Sequence, residues 1–446
     1  MKSIKIVKPE KLLKGTIQLP SSKSISNRML IMQALSGTKF EIENLSKSTD
    51  TLILQKLLNK IQASSGKQDA VELDCSDAGT DLRFLTALLA VKPGRWVLTG
   101  TDRMRQRPVG ELVEDLKLLG ASIKYLGNVG FPPLLIKGRK LVSDNLNVNA
   151  GVSSQFVSAL LMIGPYLSEG LTLNLRGDVV SEPYIDMTVA LMKECGIKAR
   201  KWKHKISVEP GVYSVSEFTV ESDWSAASFW YQAAALSDKT DLQLPGLEEK
   251  SLQGDSVVAS AFSVFGVTSE FLKGKGGNAI SGKGKAPSPQ SPVPSHGSRI
   301  ALHLSRHPSR LEGFFYDFTN HPDLALPVIA TCAALGLRGR FEGLKSLAIK
   351  ESDRVHSLTT ELKKLGCRLT ITTGDFPAIE IQPSKLTAKP DVIIDTYRDH
   401  RMAMTFAMLS LKTGSIRIAD PDVVAKSYPG FWEDIKSMGF QLSQVS

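Results

Sequence analysis

Lys23, Arg28, Arg83 and Arg401 each fall at the start of an apolar stretch, in the first turn of an expected helix or just before it. The positive end of a helix dipole disfavours a cation there and favours an anion. Their placement makes sense when an external anion lies between the side chain and the helix start. Free backbone N–H groups and small hydroxyls would complete such a site. They are supplied by Ser21-Ser22-Lys23-Ser24 before the first stretch, Asp77-Ala78-Gly79-Thr80 before the second and Ser153-Ser154-Gln155 before the third. Ser222-Asp223-Trp224-Ser225, Asn320-His321-Pro322-Asp323 and Arg398-Asp399-His400-Arg401 introduce the fourth, fifth and sixth. Ordinary N-capping explains the Ser, Thr and Asp residues but not the cations. Two more clusters, Arg103-Met104-Arg105-Gln106-Arg107-Pro108 and Lys350-Glu351-Ser352-Asp353-Arg354, read alone as solvated, salt-bridged helix ends. Together with the helix starts, they point to a small substrate carrying several phosphate or carboxylate groups.

The elements that must position these residues alternate between two kinds. Asn27–Leu35, Leu82–Val91, Phe156–Leu167, Ala226–Leu236, Leu324–Leu335 and Met402–Leu411 are apolar nearly all round, as helices buried on every face are. Between them lie amphipathic stretches that end in glycine and run into a β-type segment: Glu111–Gly120, Met187–Gly196, Val257–Gly266, Ser357–Gly366 and Phe431–Gly439. Asp50–Ile61 has the same periodicity without the glycine. The closing glycines are 76, 70, 100 and 73 residues apart. This spacing predicts six βαβαββ-like units of about 70 residues in an α/β architecture, one of them lengthened by an insertion.

A hydrophobic fraction of 42% with 22% charged residues excludes a disordered or membrane-embedded chain. No segment has the ~18 uninterrupted apolar residues of a spanning helix, and the N-terminal residues have no signal-peptide core. A cytoplasmic location is therefore expected. The four cysteines lie at least 35 positions apart, against a disulfide framework or thiolate metal site. Of the net charge of +10, seven units lie between Phe271 and Leu311, a stretch without Asp or Glu. Its Gly/Ser/Pro-rich part, at about 272–299, reads as a flexible basic insert and needs no nucleic-acid partner. His296, His303 and His307 read as solvated, with no carboxylate beside them before Glu312.

In order, LPSSKSISNRMLIMQAL, DAGTDLRFLTALLA, RMRQRPVGELVEDLKLLGASIKYLG, SSQFVSALLM, VSEPYIDMT, HPDLALPVIATCAAL, KESDRVHSL, DHRMAMTFAM and DPDVVAKSYPGFWEDI resemble the motifs of the enolpyruvyl transferase family. Within it, the spacing from about Lys8 to Phe440 is similar to that of 3-phosphoshikimate 1-carboxyvinyltransferases (EPSP synthases). Only about 268–312 is weakly covered. The resemblance implies the two-lobed enolpyruvyl transferase fold, each lobe three repeated units with buried central helices. It places residues 1–19 plus 222–446 in a C-terminal lobe and 20–221 in an N-terminal lobe. The implied reaction moves the enolpyruvyl group of phosphoenolpyruvate to the 5-hydroxyl of shikimate 3-phosphate and releases phosphate, without metal or organic cofactor.

Residue roles follow from the same resemblance. Lys23, Ser24, Arg28, Ser153, Ser154, Gln155, Ser181, Tyr184, Asp323, Ser346 and Lys350 would hold shikimate 3-phosphate. Lys23, Gly79, Arg83, Arg107, Gln155, Arg354, Arg401 and Lys426 would surround phosphoenolpyruvate. Asp323 would take the 5-hydroxyl proton and Glu351 would protonate the methylene, while Lys23 and Lys350 steady charge in the tetrahedral intermediate. The expected partners are these two small molecules, with no nucleic acid, no membrane and a monomeric chain.

The chain departs from the family pattern at Asp77, Asp81 and Phe84, where the motif usually reads Asn-Ala-Gly-Thr-Ala with Pro after the Arg. Two added carboxylates beside an anion site are expected to weaken phosphoenolpyruvate binding, and Phe84 to alter the response to glyphosate-type inhibitors. Ser346 and Ala348 stand where Asn and Arg are common, and Glu182 where a basic or neutral residue is. Two other readings compete with this one. A UDP-N-acetylglucosamine enolpyruvyl transferase generally carries a reactive Cys in the region here reading TGTDRMRQRP, which has none. The other is a non-catalytic or nucleic-acid-binding relative of the fold, since RNA 3′-phosphate cyclases share related repeats; no basic run interleaved with aromatics accompanies the motifs, and aromatic residues are only 7% of the chain.

Overall fold

The computed structural model describes residues 2–37, 40–64, 68–142, 144–273, 298–304, 313–372, 374, 377–390 and 392–445. Six of its helices are buried on nearly every face: Lys23–Ser36, Gly79–Val91, Ser154–Ile163, Trp224–Leu236, Ala325–Ala334 and His400–Met408. Five start two to four residues before the apolar runs, because helical hydrogen bonding begins at the polar cap and burial only later. The fifth in chain order instead follows a 3-10 turn, Pro322–Leu324. The amphipathic partners are Thr49–Ala63, Gly110–Leu118, Glu182–Glu194, Val258–Ser263, Arg354–Lys364 and Phe431–Ser437. Gly120, Gly196, Gly266, Gly366 and Gly439 all have φ between 82° and 96°, the left-handed turn that stops these helices.

One pairing pattern recurs in five four-stranded sheets. Val71–Asp74 runs parallel to Gly94–Thr99, which pairs antiparallel with Leu134–Gly138, itself antiparallel to Ser122–Tyr125. Helices Gly79–Val91 and Gly110–Leu118 fall between these strands in sequence, so the unit is βαβαββ. Asn145–Asn149, Leu171–Arg176, Lys205–Val208 and Ala199–Trp202 repeat the pattern, as do Phe314–Asp317, Gly339–Glu342, Ala378–Gln382 and Arg368–Thr372.

The remaining units borrow strands across the chain. Leu12–Thr16 lies parallel to Lys239–Pro245, and Glu217–Thr219 lies parallel to Glu41–Glu43. Ser3–Val7 sits between Ser415–Ala419 and Gln441–Val445. The first unit therefore departs from the expected pattern: among the described residues its sheet has two strands. The two crossing segments run side by side, with Ser22 N donating to Glu221 O at 2.9 Å and Asp223 N to Pro20 O at 2.8 Å.

Two separate hydrophobic cores result. One draws on residues from Ile25 to Val220, the other on Ile4 to Leu19 together with Trp224 to Phe440. The expected basic insert is shorter than 272–299, because Val267–Lys273 and Ser298–Leu304 pair as a hairpin with Lys273 opposite Ser298. Residues 274–297 lie outside the described residues. So do His296 and His307, while His303 is exposed on its strand. All four cysteines are buried and unpaired. Among the described residues no helix is long and apolar enough to cross a membrane, and no group of three His, Cys, Asp or Glu side chains is placed to hold a metal ion.

Candidate active site

The buried helices aim their first turns at one cleft between the two cores. Ser22, Ser153, Asp223 and Asp399 cap four of them through side-chain oxygens. The residues just inside the caps are then held at the cleft wall. Lys23, Ser24, Gly79, Ser153, Ser154, Gln155, Asp323 and Arg401 all line it. So do Arg28, Arg83, Arg107, Ser181, Tyr184, Ser346, Lys350, Glu351 and Arg354. Of the residues given a substrate-binding or catalytic role by the resemblance, Lys426 alone stands outside this lining. It faces an adjoining cavity that shares Arg107 and Glu351 with the cleft. Its Nζ donates to the Asp77 carbonyl at 2.5 Å and lies 3.6 Å from Asp50 Oδ1.

The Arg354 guanidinium, 2% exposed, holds three carboxylates at once. Nη1 reaches Asp323 Oδ1 at 2.9 Å, Nη2 reaches Glu351 Oε2 at 2.9 Å and Nε reaches Asp399 Oδ2 at 2.7 Å. Asp323 receives two further donors, Arg401 Nη2 at 3.0 Å and the Tyr184 hydroxyl at 2.9 Å. Burial alone would raise the Asp323 pKa, but Arg401, Lys350 and Arg354 outweigh it and hold the carboxyl far below its usual range. Burial likewise opposes the Glu351 charge, and Arg354, Arg107 and Lys426 override it. Both carboxylates are therefore ionised in the free protein. Lys350 is pulled down, chiefly by burial and in part by Arg354 and Arg107.

The opposite wall is dominated by cations. Lys23 Nζ is 2.9 Å from Asp50 Oδ2, which keeps it protonated despite burial. Arg28 is buried, with Nε on Thr188 Oγ1 at 2.7 Å and Nη1 on the Ser24 carbonyl at 2.9 Å, and burial draws its pKa down to about 10. Burial and the neighbouring Arg107 take Arg83 down to about 9. The Nε atoms of Arg83 and Arg107 are buried without a hydrogen-bond partner. A Cβ on Gly79 would collide with the Arg107 guanidinium, so only glycine lets that cation lie against the helix start. Ser181 has a left-handed φ of 54°, uncommon for a residue with a side chain. Its N–H donates to the Thr319 carbonyl of the other core at 2.9 Å. Two guanidiniums with spare donors beside a helix N-terminus can take a phosphate or carboxylate. Carboxylates and an ammonium on the facing wall can move protons.

Three residues at the cleft have no substrate-binding or catalytic role in the sequence reading, which gives His400, beside Asp399, a structural or supporting one. Asp50 opens the amphipathic stretch Asp50–Ile61, where an acid in a first turn is ordinary; its pairing with Lys23 is visible only in the fold. Asp255 is buried near Asp323 and Arg401, and burial raises its pKa to about 7. His400 lines the cleft with neither ring nitrogen hydrogen-bonded, and burial, with Lys23 nearby, keeps it neutral. A polar residue between a cap and an apolar helix was its only sequence signal.

The departures fall differently from expectation. Asp81 is fully buried, accepting a 2.7 Å hydrogen bond from Asn27 Nδ2. Burial, reinforced by the Asp50 charge, shifts it toward the neutral acid, which lessens the charge it sets against an anion. Asp77 accepts from the Thr101 hydroxyl and lines the adjoining cavity. Phe84 packs under the Arg28 guanidinium, 5.3 Å from the ring centre. Lys201 neutralises Glu182 at 2.6 Å, outside the cleft lining. Ser346 lines the cleft and Ala348 the adjoining cavity.

The family description that matches residues 7–435 is EPSP synthase (3-phosphoshikimate 1-carboxyvinyltransferase). The 3-phosphoshikimate 1-carboxyvinyltransferase of Bacteroides fragilis is 44% identical over 435 residues, covering 96% of each chain. That of Aliivibrio salmonicida is 32% identical, covering 97% of this chain and 98% of its own. The solved EPSP synthase of Acinetobacter baumannii shares the fold, with a TM-score of 0.72 over 100% of both chains at 22% identity.

Proposed function

Because this chain belongs to the EPSP synthase family, it is an enolpyruvyl transferase of the shikimate pathway, and we propose that the cleft between its two cores carries the reaction. Phosphoenolpyruvate and shikimate 3-phosphate are its substrates. The observation that carries the site assignment is the Arg354 guanidinium bridging Asp323 and Glu351. A reaction that removes a proton from an alcohol while adding one to an alkene wants two carboxyl groups at fixed separation and in opposite protonation states.

Asp323, ionised and oriented by Tyr184, Arg401 and Arg354, is the base for the 5-hydroxyl. As that oxygen bonds to C2 of phosphoenolpyruvate, C3 takes a proton from Glu351. Loss of a C3 proton and of phosphate from the resulting intermediate then restores the alkene. Lys23 and Lys350 steady the developing charges. Glu351 must first gain a proton, and an anionic ligand engaging Arg354, Arg107 and Lys426 weakens the field that ionises it. Ser24, Arg28, Ser153, Ser154, Gln155, Ser181, Tyr184 and Ser346 hold shikimate 3-phosphate. Gly79, Arg83, Arg107, Arg354, Arg401 and Lys426 receive phosphoenolpyruvate, with Gln155 between the two.

The same proposal assigns residues 20–221 to one lobe and 1–19 with 222–446 to the other. The partition of the two cores and the paired crossings at Ser22 and Asp223 support those limits. It also holds the chain to be a cytoplasmic monomer. The test is phosphate release from phosphoenolpyruvate with each acceptor: turnover is expected with shikimate 3-phosphate and none with UDP-N-acetylglucosamine. No turnover with shikimate 3-phosphate would overturn the reading.

A further inference from the structure

Arg103 belongs to the side of the molecule that carries Arg107, yet both of its side-chain hydrogen bonds cross to the other. Nε donates to the Glu351 carbonyl at 3.2 Å and Nη2 to the Lys350 carbonyl at 3.3 Å. Those carbonyls lie in the irregular link between the 3-10 turn Lys345–Ile349 and the helix Arg354–Lys364, where no helical ladder fixes the backbone. The side chains of the same two residues are the proposed acid and one of the proposed charge-steadying cations. A reciprocal contact stands nearby, since Lys426 from the opposite side donates to the Asp77 carbonyl at 2.5 Å. Arg103 and Lys426 both border the adjoining cavity, together with Arg107 and Glu351.

An ordinary surface hydrogen bond between two lobes contributes about 1 kcal/mol and tunes stability alone. This pair differs because its acceptors are the main-chain atoms under two working side chains. The guanidinium can reach them only when the two lobes are together. A shift of about 1 Å in a reacting group costs on the order of a hundredfold in rate. We propose that Arg103 is a positioning residue that couples closure of the lobes to the alignment of Glu351 and Lys350. It touches neither substrate nor reacting atoms, and the proposal rests on Glu351 being the acid.

The experiment compares the full-length protein with Arg103→Ala, Arg103→Gln and Arg103→Lys, following kcat, both KM values, shikimate 3-phosphate affinity by calorimetry and the solvent deuterium isotope effect on kcat. In Arg103→Ala, kcat should fall about 30-fold, shikimate 3-phosphate affinity should stay within about twofold, and the isotope effect should rise because proton delivery becomes slower. Arg103→Lys, which keeps a charged donor, should recover part of the loss, and Arg103→Gln serves if the alanine variant does not fold. A kcat within about threefold of wild type would overturn the proposal. So would a fall in kcat with an unchanged isotope effect and no recovery in Arg103→Lys, the result of a structural role alone. Wild-type turnover of shikimate 3-phosphate separates the two ideas. Its absence removes the proposed function, whereas a normal Arg103→Ala enzyme beside an active wild type removes only the coupling.

Discussion

A single guanidinium, Arg354, is paired with both the group that must accept a proton and the group that must give one, and the cations around them favour the ionised form of each. The difference between them has to come from the ligands. Glu351 is depressed by Arg354, Arg107 and Lys426, so near pH 7 the free protein carries it as a carboxylate. An anion that occupies those cations raises its pKa, and binding must then take up a proton. Calorimetry with phosphoenolpyruvate and a 5-deoxy analogue of shikimate 3-phosphate, in buffers of different ionisation enthalpy, should register uptake of up to about one proton. Uptake should vanish in Glu351→Gln; equal uptake in both proteins would remove Glu351 as the group that gains it. Asp323→Asn should abolish most turnover while shikimate 3-phosphate binding remains measurable, and near-normal turnover would exclude Asp323 as the base. Asp81, read from the sequence as an unfavourable added charge, is buried on Asn27. Asp81→Asn should therefore leave the KM for phosphoenolpyruvate within about twofold, whereas Asp81→Leu, which strands the Asn27 amide, should cost about 1–3 kcal/mol of stability.

At the scale of elements, what was legible in the sequence was local. An amphipathic helix announces itself by a repeat of 3.6 residues and its end by a glycine, and a buried one by an apolar run of helical length between polar caps, so both kinds of helix and the five closing glycines are legible in the chain alone. Gly366 gives this a direct test. Its φ is +86° and the nearest atom to an added Cβ is the Lys385 carbonyl oxygen at 3.7 Å, so a side chain meets backbone strain and no clash. Gly366→Ala should lower stability by about 1 kcal/mol in urea denaturation and leave kcat unchanged. Strand partners were not legible. Nothing in Leu12–Thr16 specifies Lys239–Pro245 as its neighbour, and Glu217–Thr219 is too short for alternation to show. The same distance hid the Asp50–Lys23 pair and the three carboxylates on Arg354. Motif resemblance carries most of the site; Asp50 and Asp255 stand in first turns where an acid needs no further reason, and His400 follows a cap with nothing local to mark it as a cleft residue.

For the whole molecule, the net charge of +10 is a poor guide to function, because seven of those units lie between Phe271 and Leu311. The cations that matter face one another across the cleft. Arg107 on one side depresses Lys350 on the other, and Lys23 helps keep His400 neutral. Like charges brought together in a partly dehydrated gap resist closure, and at short range salt screens them incompletely. Among the described residues, polar contacts that span the gap include Arg103 on two carbonyls, Lys426 on Asp77 and Asp50, Tyr184 on Asp323, Thr49 on Ala425, Ser181 on Thr319 and Glu182 on Asn320. Doubly charged substrates supply the missing attraction, so the free protein should populate a more open arrangement and the liganded protein the closed one. Solution scattering should then show a smaller radius of gyration on adding shikimate 3-phosphate, and a further decrease when phosphoenolpyruvate and the unreactive Asp323→Asn variant are combined with it. The charge argument also fixes a control. Sulfate should produce part of the compaction and chloride at equal ionic strength much less, since a divalent oxyanion can bridge Arg83, Arg107 and Lys350 whereas general screening cannot. Identical profiles in all conditions would mean that the lobes are held together without their ligands.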